Sequence, residues 1–327
     1  MNQKVRKIRW LIAHQPQHLF VRTAKAFSDA LNKHCAGELE VEILTYADYK
    51  KNYGEIPDLD ILDPNHPDPE IKINKGIDAF WKALFDSQIE MSQIQVGIVG
   101  MLHPDFHALD LPFMFDDHDH VSEVLEGPIG QQMCATLGQK SGVTGLGFTY
   151  SGGYRVIGSN KPIVNIEDLK GLRIVTQNNL TLGTTIESMG GKAITIAPRL
   201  WQKQDVLNNV GDAIETTYLR FHGKHVLKTQ HSMFMTTILV SNKFWNTLTE
   251  KQQVAFRDAA LVASRMEREW SVADGDKFEQ DAVKNGITIV DISEKDRLAL
   301  KKKSQLTYFK CKGLFTPGLV VNMRTRH

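Results

Sequence analysis

The chain has 327 residues, 42% of them hydrophobic, with 39 Lys and Arg against 38 Asp and Glu for a formal charge of +1. Near-neutrality gives no field to attract nucleic acid or an anionic membrane, and no apolar run approaches the ~20 residues that span a bilayer, so neither direct membrane insertion nor nucleic-acid binding is expected. The length exceeds the usual ~100–200 residues of one domain and points to two.

In chain order, Met1–Lys4 lead directly into Val5–Ala13, which reads as a buried first strand rather than the basic, apolar and small-residue pattern of an export signal. Phe20, Ala24, Phe27, Leu31 and Cys35 then recur at helical spacing, with Gly37 closing the helix. Leu39, Val41 and Ile43 alternate with glutamates as a half-exposed strand. From Tyr46 to Asn74 the periodicity is lost among Pro57, Pro64, Pro67, Pro69 and many acids, and the segment reads as a loop insertion. Ile77, Phe80, Trp81, Leu84 and Phe85 form the core face of the next helix.

A second half begins at Gly152-Gly153, before Tyr154-Arg155. Strands near Leu172–Gln177 and Lys192–Ala197 enclose a helix over Leu180–Met189 that Gly190-Gly191 ends, and Trp201–Asn209 reads as a short helix. Thr249 with Gln252 makes a capping box for a stripe of Phe256, Ala259, Ala260, Ala263, Met266 and Trp270. That helix can run to Asn285-Gly286, roughly 50 Å at ~1.5 Å per residue, more than one small domain can cover.

Catalytic chemistry finds little support. His14 and His18, and His103 and His107, have zinc-ligand spacing, but prolines interrupt both and neither pair has the adjacent glutamate of a zincin. Asp116-Asp117-His118-Asp119-His120 could bind a metal but reads as a polar turn before a helix, and no metal site is expected. Thr149–Gly153 lacks the first glycine of a nucleophile elbow, and no phosphate loop or dinucleotide fingerprint occurs, so no cofactor is expected. Cys35, Cys134 and Cys311 are too scattered for a disulfide framework.

The run Pro162-Ile163-Val164-Asn165-Ile166-Glu167-Asp168-Leu169-Lys170-Gly171-Leu172-Arg173-Ile174 is the most specific signal, with Tyr154-Arg155 before it and Gly211-Asp212-Ala213-Ile214-Glu215-Thr216-Thr217 after it. Ile12–His18, Glu90-Met91-Ser92-Gln93, Leu109–Phe115 and Glu126-Gly127-Pro128-Ile129-Gly130 extend the pattern toward the N-terminus. Together these motifs resemble the solute-binding proteins of tripartite ATP-independent periplasmic (TRAP) transporters.

The resemblance implies a two-lobed α/β periplasmic-binding-protein-like fold with a hinge and a long helix spanning both lobes. One lobe would comprise residues 1–152 and 241–280, the other 153–240 and 281–327, with the ligand cleft between them. It implies a periplasmic, non-enzymatic protein, despite the missing signal pattern, that captures a small organic acid or similar polar solute by lobe closure and presents it to TRAP membrane permease subunits. A ligand sensor for a signalling partner is the alternative, and a metal-dependent hydrolase the most distant one.

Family members hold a solute carboxylate with an arginine two residues beyond the Leu-Lys-Gly-Leu-Lys run, where this chain has Val175. Arg155 matches a second family arginine, in the cleft or in an interdomain salt bridge. Arg199 stands where a cleft-lining phenylalanine is common, reading either as a compensating cation for the one lost at Val175 or as an exposed arginine at a helix start. His14, Gln95, Gln177, Asn178 and Thr216 complete the implied ligand contacts, while Asp212 and Glu215 read as structural acids.

Overall fold

The computed structural model describes residues 5–13, 17–56, 73–177, 179–195, 206–219 and 222–325. The strands are β1 (Arg6–Leu11), β2 (Leu39–Leu44), β3 (Met91–Gln95), β4 (Val143–Ser159), β5 (Arg173–Thr176), β6 (Lys192–Thr195), β7 (Ala213–Thr217), β8 (His225–Lys228), β9 (Met233–Ser241) and β10 (Thr288–Asp291). The described helices of six or more residues are α1 (Gln17–Cys35), α2 (Tyr46–Tyr53), α3 (Ile73–Phe85), α4 (His118–Glu126), α5 (Pro128–Lys140), α6 (Leu180–Ser188), α7 (Glu250–Lys284), α8 (Glu294–Lys303), α9 (Gln305–Cys311) and α10 (Leu319–Arg324). They divide into two compact units: unit 1 is residues 1–103, 122–149 and 236–270, and unit 2 is residues 104–121, 150–235 and 271–327. The chain passes from one to the other between His103 and Pro104 and within α4, β4, β9 and α7.

In unit 1, β1 pairs in parallel with β2 and β3, and β3 pairs antiparallel with β9, Gln95 opposite Thr236. The helical spacing read from Phe20 to Cys35 buries Phe20, Phe27 and Leu31 of α1 against Trp10 of β1 and Phe256 of α7. Burying such aromatic side chains stabilises by roughly 1.5–3 kcal/mol each. The Gly-Pro-Ile-Gly motif is explained by packing: a Cβ on Gly127 would stand 2.5 Å from the Glu123 carbonyl, and one on Gly130 would collide with the Leu125 backbone. The capping box at Thr249 is formed as expected, Gln252 N donating to Thr249 Oγ1 at 3.2 Å and Thr249 N to Gln252 Oε1 at 3.0 Å.

The expectation of a loop from Tyr46 is corrected over its first part. Residues 46–53 are helical because Thr45 and Asp48 form a second capping box and because Tyr49 is buried, its hydroxyl donating to the Gln88 carbonyl at 3.1 Å. Residues 57–72 lie outside the described residues, as do 201–205 of the expected short helix, of which Val206–Asn209 is seen.

In unit 2, β4 pairs antiparallel with β7 and β8, β5 runs parallel to β6 and β7, and β8 runs parallel to β10. The core gathers Ile157, Ile163, Ile166, Leu169, Ile174 and Ile186 among others. The Pro162–Ile174 run earns its residues structurally. Asn165 accepts from the amides of Glu167 and Asp168 while Asp168 accepts in return from Asn165 N, and Gly171 takes φ +75°, open to glycine without strain, to turn the chain into β5. The acid-and-histidine turn before α4 is likewise local: His120 N donates to Asp117 Oδ1 at 2.8 Å, and its Nδ1 accepts from Asp116 N at 3.2 Å.

Candidate functional site

Side chains alternate across a strand, so the register of β4, β5 and β7 fixes which groups can meet. Arg155 lies opposite Thr217, and Val175 opposite Ile214. Arg155, Thr176 and Glu215 therefore share one face of the sheet, and Val175 with Thr216 the other. The hydrogen bonds agree. Glu215 Oε2 accepts from Arg155 Nη1 at 3.1 Å and from Thr176 Oγ1 at 2.7 Å, while Oε1 accepts from His231 Nε2 at 2.8 Å. The Thr229 hydroxyl meets His231 Nδ1 at 2.8 Å.

A second acid approaches the same guanidinium. Asp110 ends a short 3-10 helix, Pro104–Asp110, and its Oδ1 stands 3.6 Å from Arg155 Nη2. Its Oδ2 accepts from Asn179 Nδ2 at 2.8 Å, and Asn179 also caps α6. Arg155 is 1% exposed, Asp110 and Glu215 not at all. Phe234 stacks beneath the guanidinium, 5.0 Å from ring centroid to Cζ. Burial alone would raise Glu215, but the Arg155 charge, with His231 and Thr176, outweighs it and holds the carboxyl below its usual range. For Asp110 burial wins over Arg155, and the carboxyl is pushed up to about 6. One permanent cation thus faces two carboxylates.

Val175, where the resemblance implies an arginine, is fully buried in an apolar cluster with Ile214, Ile194, Leu207 and Val210. Nothing in that cluster could accept a charge without a large desolvation cost. Arg173, two residues earlier, is half exposed and pairs with Asp212 at 3.2 Å.

Of the residues singled out from sequence, Gln95 is buried at the end of β3 in unit 1, whereas Arg155, half-buried Gln177 and buried Thr216 belong to unit 2. His14, Asn178 and Arg199 lie outside the described residues. Asp110 and His231 were not singled out. Asp110 stood within a recognised motif, and its partner is 45 positions away in sequence, where no periodicity connects them. Unit 1 holds a polar cluster of its own, in which Glu267 Oε2 accepts from Thr23 Oγ1 at 2.6 Å and Gln93 Nε2 at 2.7 Å.

The family model described as bacterial extracellular solute-binding protein, family 7, matches residues 75–312. A solute-binding protein of Chromohalobacter salexigens is 24% identical over 228 residues, 67% of this chain and 66% of that protein. The C4-dicarboxylate-binding periplasmic protein of Rhodobacter capsulatus is 25% identical over 182 residues, 50% of this chain and 54% of its own length. The chain thus spans somewhat over half to just under two thirds of the first curated relatives it matches. In fold, it is similar to a TRAP periplasmic solute-binding protein from Xanthobacter autotrophicus Py2 with bound β-D-galacturonate, at TM-score 0.77 and 21% identity, covering 98% of this chain and 100% of the other. A TRAP protein from Pseudomonas putida F1 with bound D-glucuronate gives TM-score 0.78 and 21% identity, with 98% of each covered. The expected two-lobed α/β architecture, with its long helix over Glu250–Lys284, is the one these structures share.

Proposed function

The chain belongs to bacterial extracellular solute-binding protein family 7, and we propose on that premise that it captures a small organic acid or similar polar solute, leaves it chemically unchanged, and delivers it on the periplasmic side to the membrane subunits of a TRAP transporter. No described helix is long and apolar enough to cross a membrane. The observation that carries the reading is Arg155: nearly fully buried, backed by an aromatic ring, with Nε and Nη2 lacking hydrogen-bond partners among the described residues. A guanidinium stays charged when desolvated and presents its donors as a planar fork, which suits the oxygens of a small solute. Gln95 and Gln177 are proposed as neutral contacts. Thr216 lies on the sheet face away from Arg155 and is not proposed to share its solute. His14 and Asn178 keep the contacts read from sequence, and Arg199 that of a compensating cation. The sugar acids held by the solved relatives make such acids the first class to try.

The test is a thermal-shift screen of unfolded and refolded protein, freed of carried-over ligand, against organic acids, sugar acids, amino acids and polyols. A ligand at about 100 times its Kd stabilises the native state by about 2.7 kcal/mol. A shift with one chemical class, lost in Arg155→Met, is expected. Silence across the panel from natively folded protein, or an undiminished shift in the variant, would count against the reading.

A further inference from the structure

The cluster around Arg155 also bears on which group of the solute it meets, a point that rests on the solute-capture reading. Glu215 is fully engaged: Arg155 Nη1, Thr176 and His231 occupy its two oxygens. Asp110 is not. One oxygen accepts from Asn179, while Oδ1 has no hydrogen-bond partner among the described residues, and neither have Arg155 Nη2 and Nε. Oδ1 and Nη2 are 3.6 Å apart, too far for a hydrogen bond between them. An oxygen placed about 2.8 Å from both would bond to each.

The chemistry of that bridging atom is constrained. It must donate to a carboxylate and accept from a guanidinium. A hydroxyl does both with one O–H and two lone pairs. With Asp110 ionised, a solute carboxylate would satisfy Arg155 but bring no proton to Asp110, and the two like charges would repel at close range. An ammonium donates to Asp110 and is repelled by Arg155. Nor does β5 bring a second cation beside Arg155, because Arg173 is engaged with Asp212 and Val175 sits among Ile194, Leu207, Val210 and Ile214. We propose that Asp110 and Arg155 together bind a hydroxyl group of the solute, so that the protein selects polyhydroxylated solutes over acids carrying carboxylates alone. Asp110 is then a specificity residue.

The experiment is titration calorimetry on ligand-stripped full-length protein with aldonates, aldarates, uronates and alditols, each set against its deoxy counterpart, for example D-gluconate against hexanoate and galactarate against adipate. The best hydroxylated probe is then repeated as its single deoxyfluoro analogues, since fluorine cannot donate. In the unaltered protein one position should lose about 10- to 100-fold in affinity on fluorination, the worth of a hydrogen bond to a charged group. Asp110→Asn, which turns the acceptor carboxylate into a neutral amide, should abolish that position's penalty and narrow the gap between hydroxylated and deoxy acids by at least about tenfold. Equal affinity for hexanoate and gluconate, no sensitive fluorine position, or an Asp110→Asn variant of unchanged selectivity would each overturn this inference while leaving solute capture intact. The fluorine series holds even if that variant does not fold. No binding to any probe by natively folded protein would overturn both.

Discussion

Each unit of this protein buries an acid on the core side of its sheet, and the two are held in opposite ways. In unit 1, Glu267 is surrounded by neutral donors, Thr23 and Gln93, with Gln93 tied in turn to Thr236. Burial pushes its carboxyl up to about 7 against those hydrogen bonds. The adjacent Arg268 gives its charge elsewhere, to Glu126 and the Phe148 carbonyl. In unit 2, Glu215 is equally buried, but Arg155 keeps its carboxyl below the usual range. Depth is the same in both. What differs is a cation bonded to the acid: Arg155 pairs with Glu215, whereas Arg268, also buried, makes its bonds to Glu126 and Phe148 rather than to Glu267.

The largest effect should come from removing that cation. Arg155→Met leaves Asp110 and Glu215 without it, and losing one partner of a buried pair costs about 3–5 kcal/mol. Urea unfolding at pH 8 should show this loss, and at pH 5 the loss should shrink, because Asp110, already pushed up to about 6, takes a proton. Equal losses at both pH values would mean that packing, not charge, explains the cluster.

Glu267→Gln should act in the other direction. The folded carboxyl titrates near 7 and the unfolded one near 4.5, so the native state binds the extra proton between those values, and stability falls as pH rises through that window. The amide has no such dependence. It should therefore be more stable than the parent at pH 8, by up to about 3 kcal/mol, with the advantage fading toward pH 4.5. A variant that tracks the parent at every pH would erase the contrast between the units.

Smaller effects sharpen it. Thr176→Val removes a donor to ionised Glu215 and should cost about 2 kcal/mol, whereas Thr23→Val removes one from an acid that is largely protonated below neutrality and should cost about 1 kcal/mol at pH 6. Comparable unfolding midpoints for the two would blunt the distinction. Smallest of all is Arg173→Ala, whose pairing with Asp212 is solvent-exposed, and whose denaturation curve should overlay the parent.

Helix α1 and the capped start of α7 were legible because their signals are local, an apolar stripe in one and Thr249 with Gln252 in the other. Helix α2 was not read. Eight residues with three lysine or aspartate positions carry no convincing stripe, although Thr45 and Asp48 were there to mark its start. In the site, Arg155 could be named from its motif, but its burial and its two acids could not, since Asp110 and Glu215 reach it from 45 and 60 positions away. Glu267 has a trace in the sequence: it continues the spacing of Ala259, Ala260 and Ala263 on α7, an acid on an apolar stripe. The run Pro162–Ile174 was the best identifier of the family, and its Asn165, Asp168 and Gly171 prove to shape a turn.

The division of α4, β4, β9 and α7 between the units has a consequence during synthesis. Strand β3 gains its antiparallel neighbour only when Thr236 to Val240 have been made, and unit 1 closes its core only with the α7 residues up to 270. Residues 5–103 must therefore wait, with Trp10 and Phe27 lacking Phe256, until the residues up to 270 have followed. Such distant closure slows folding and leaves apolar surface exposed in the meantime.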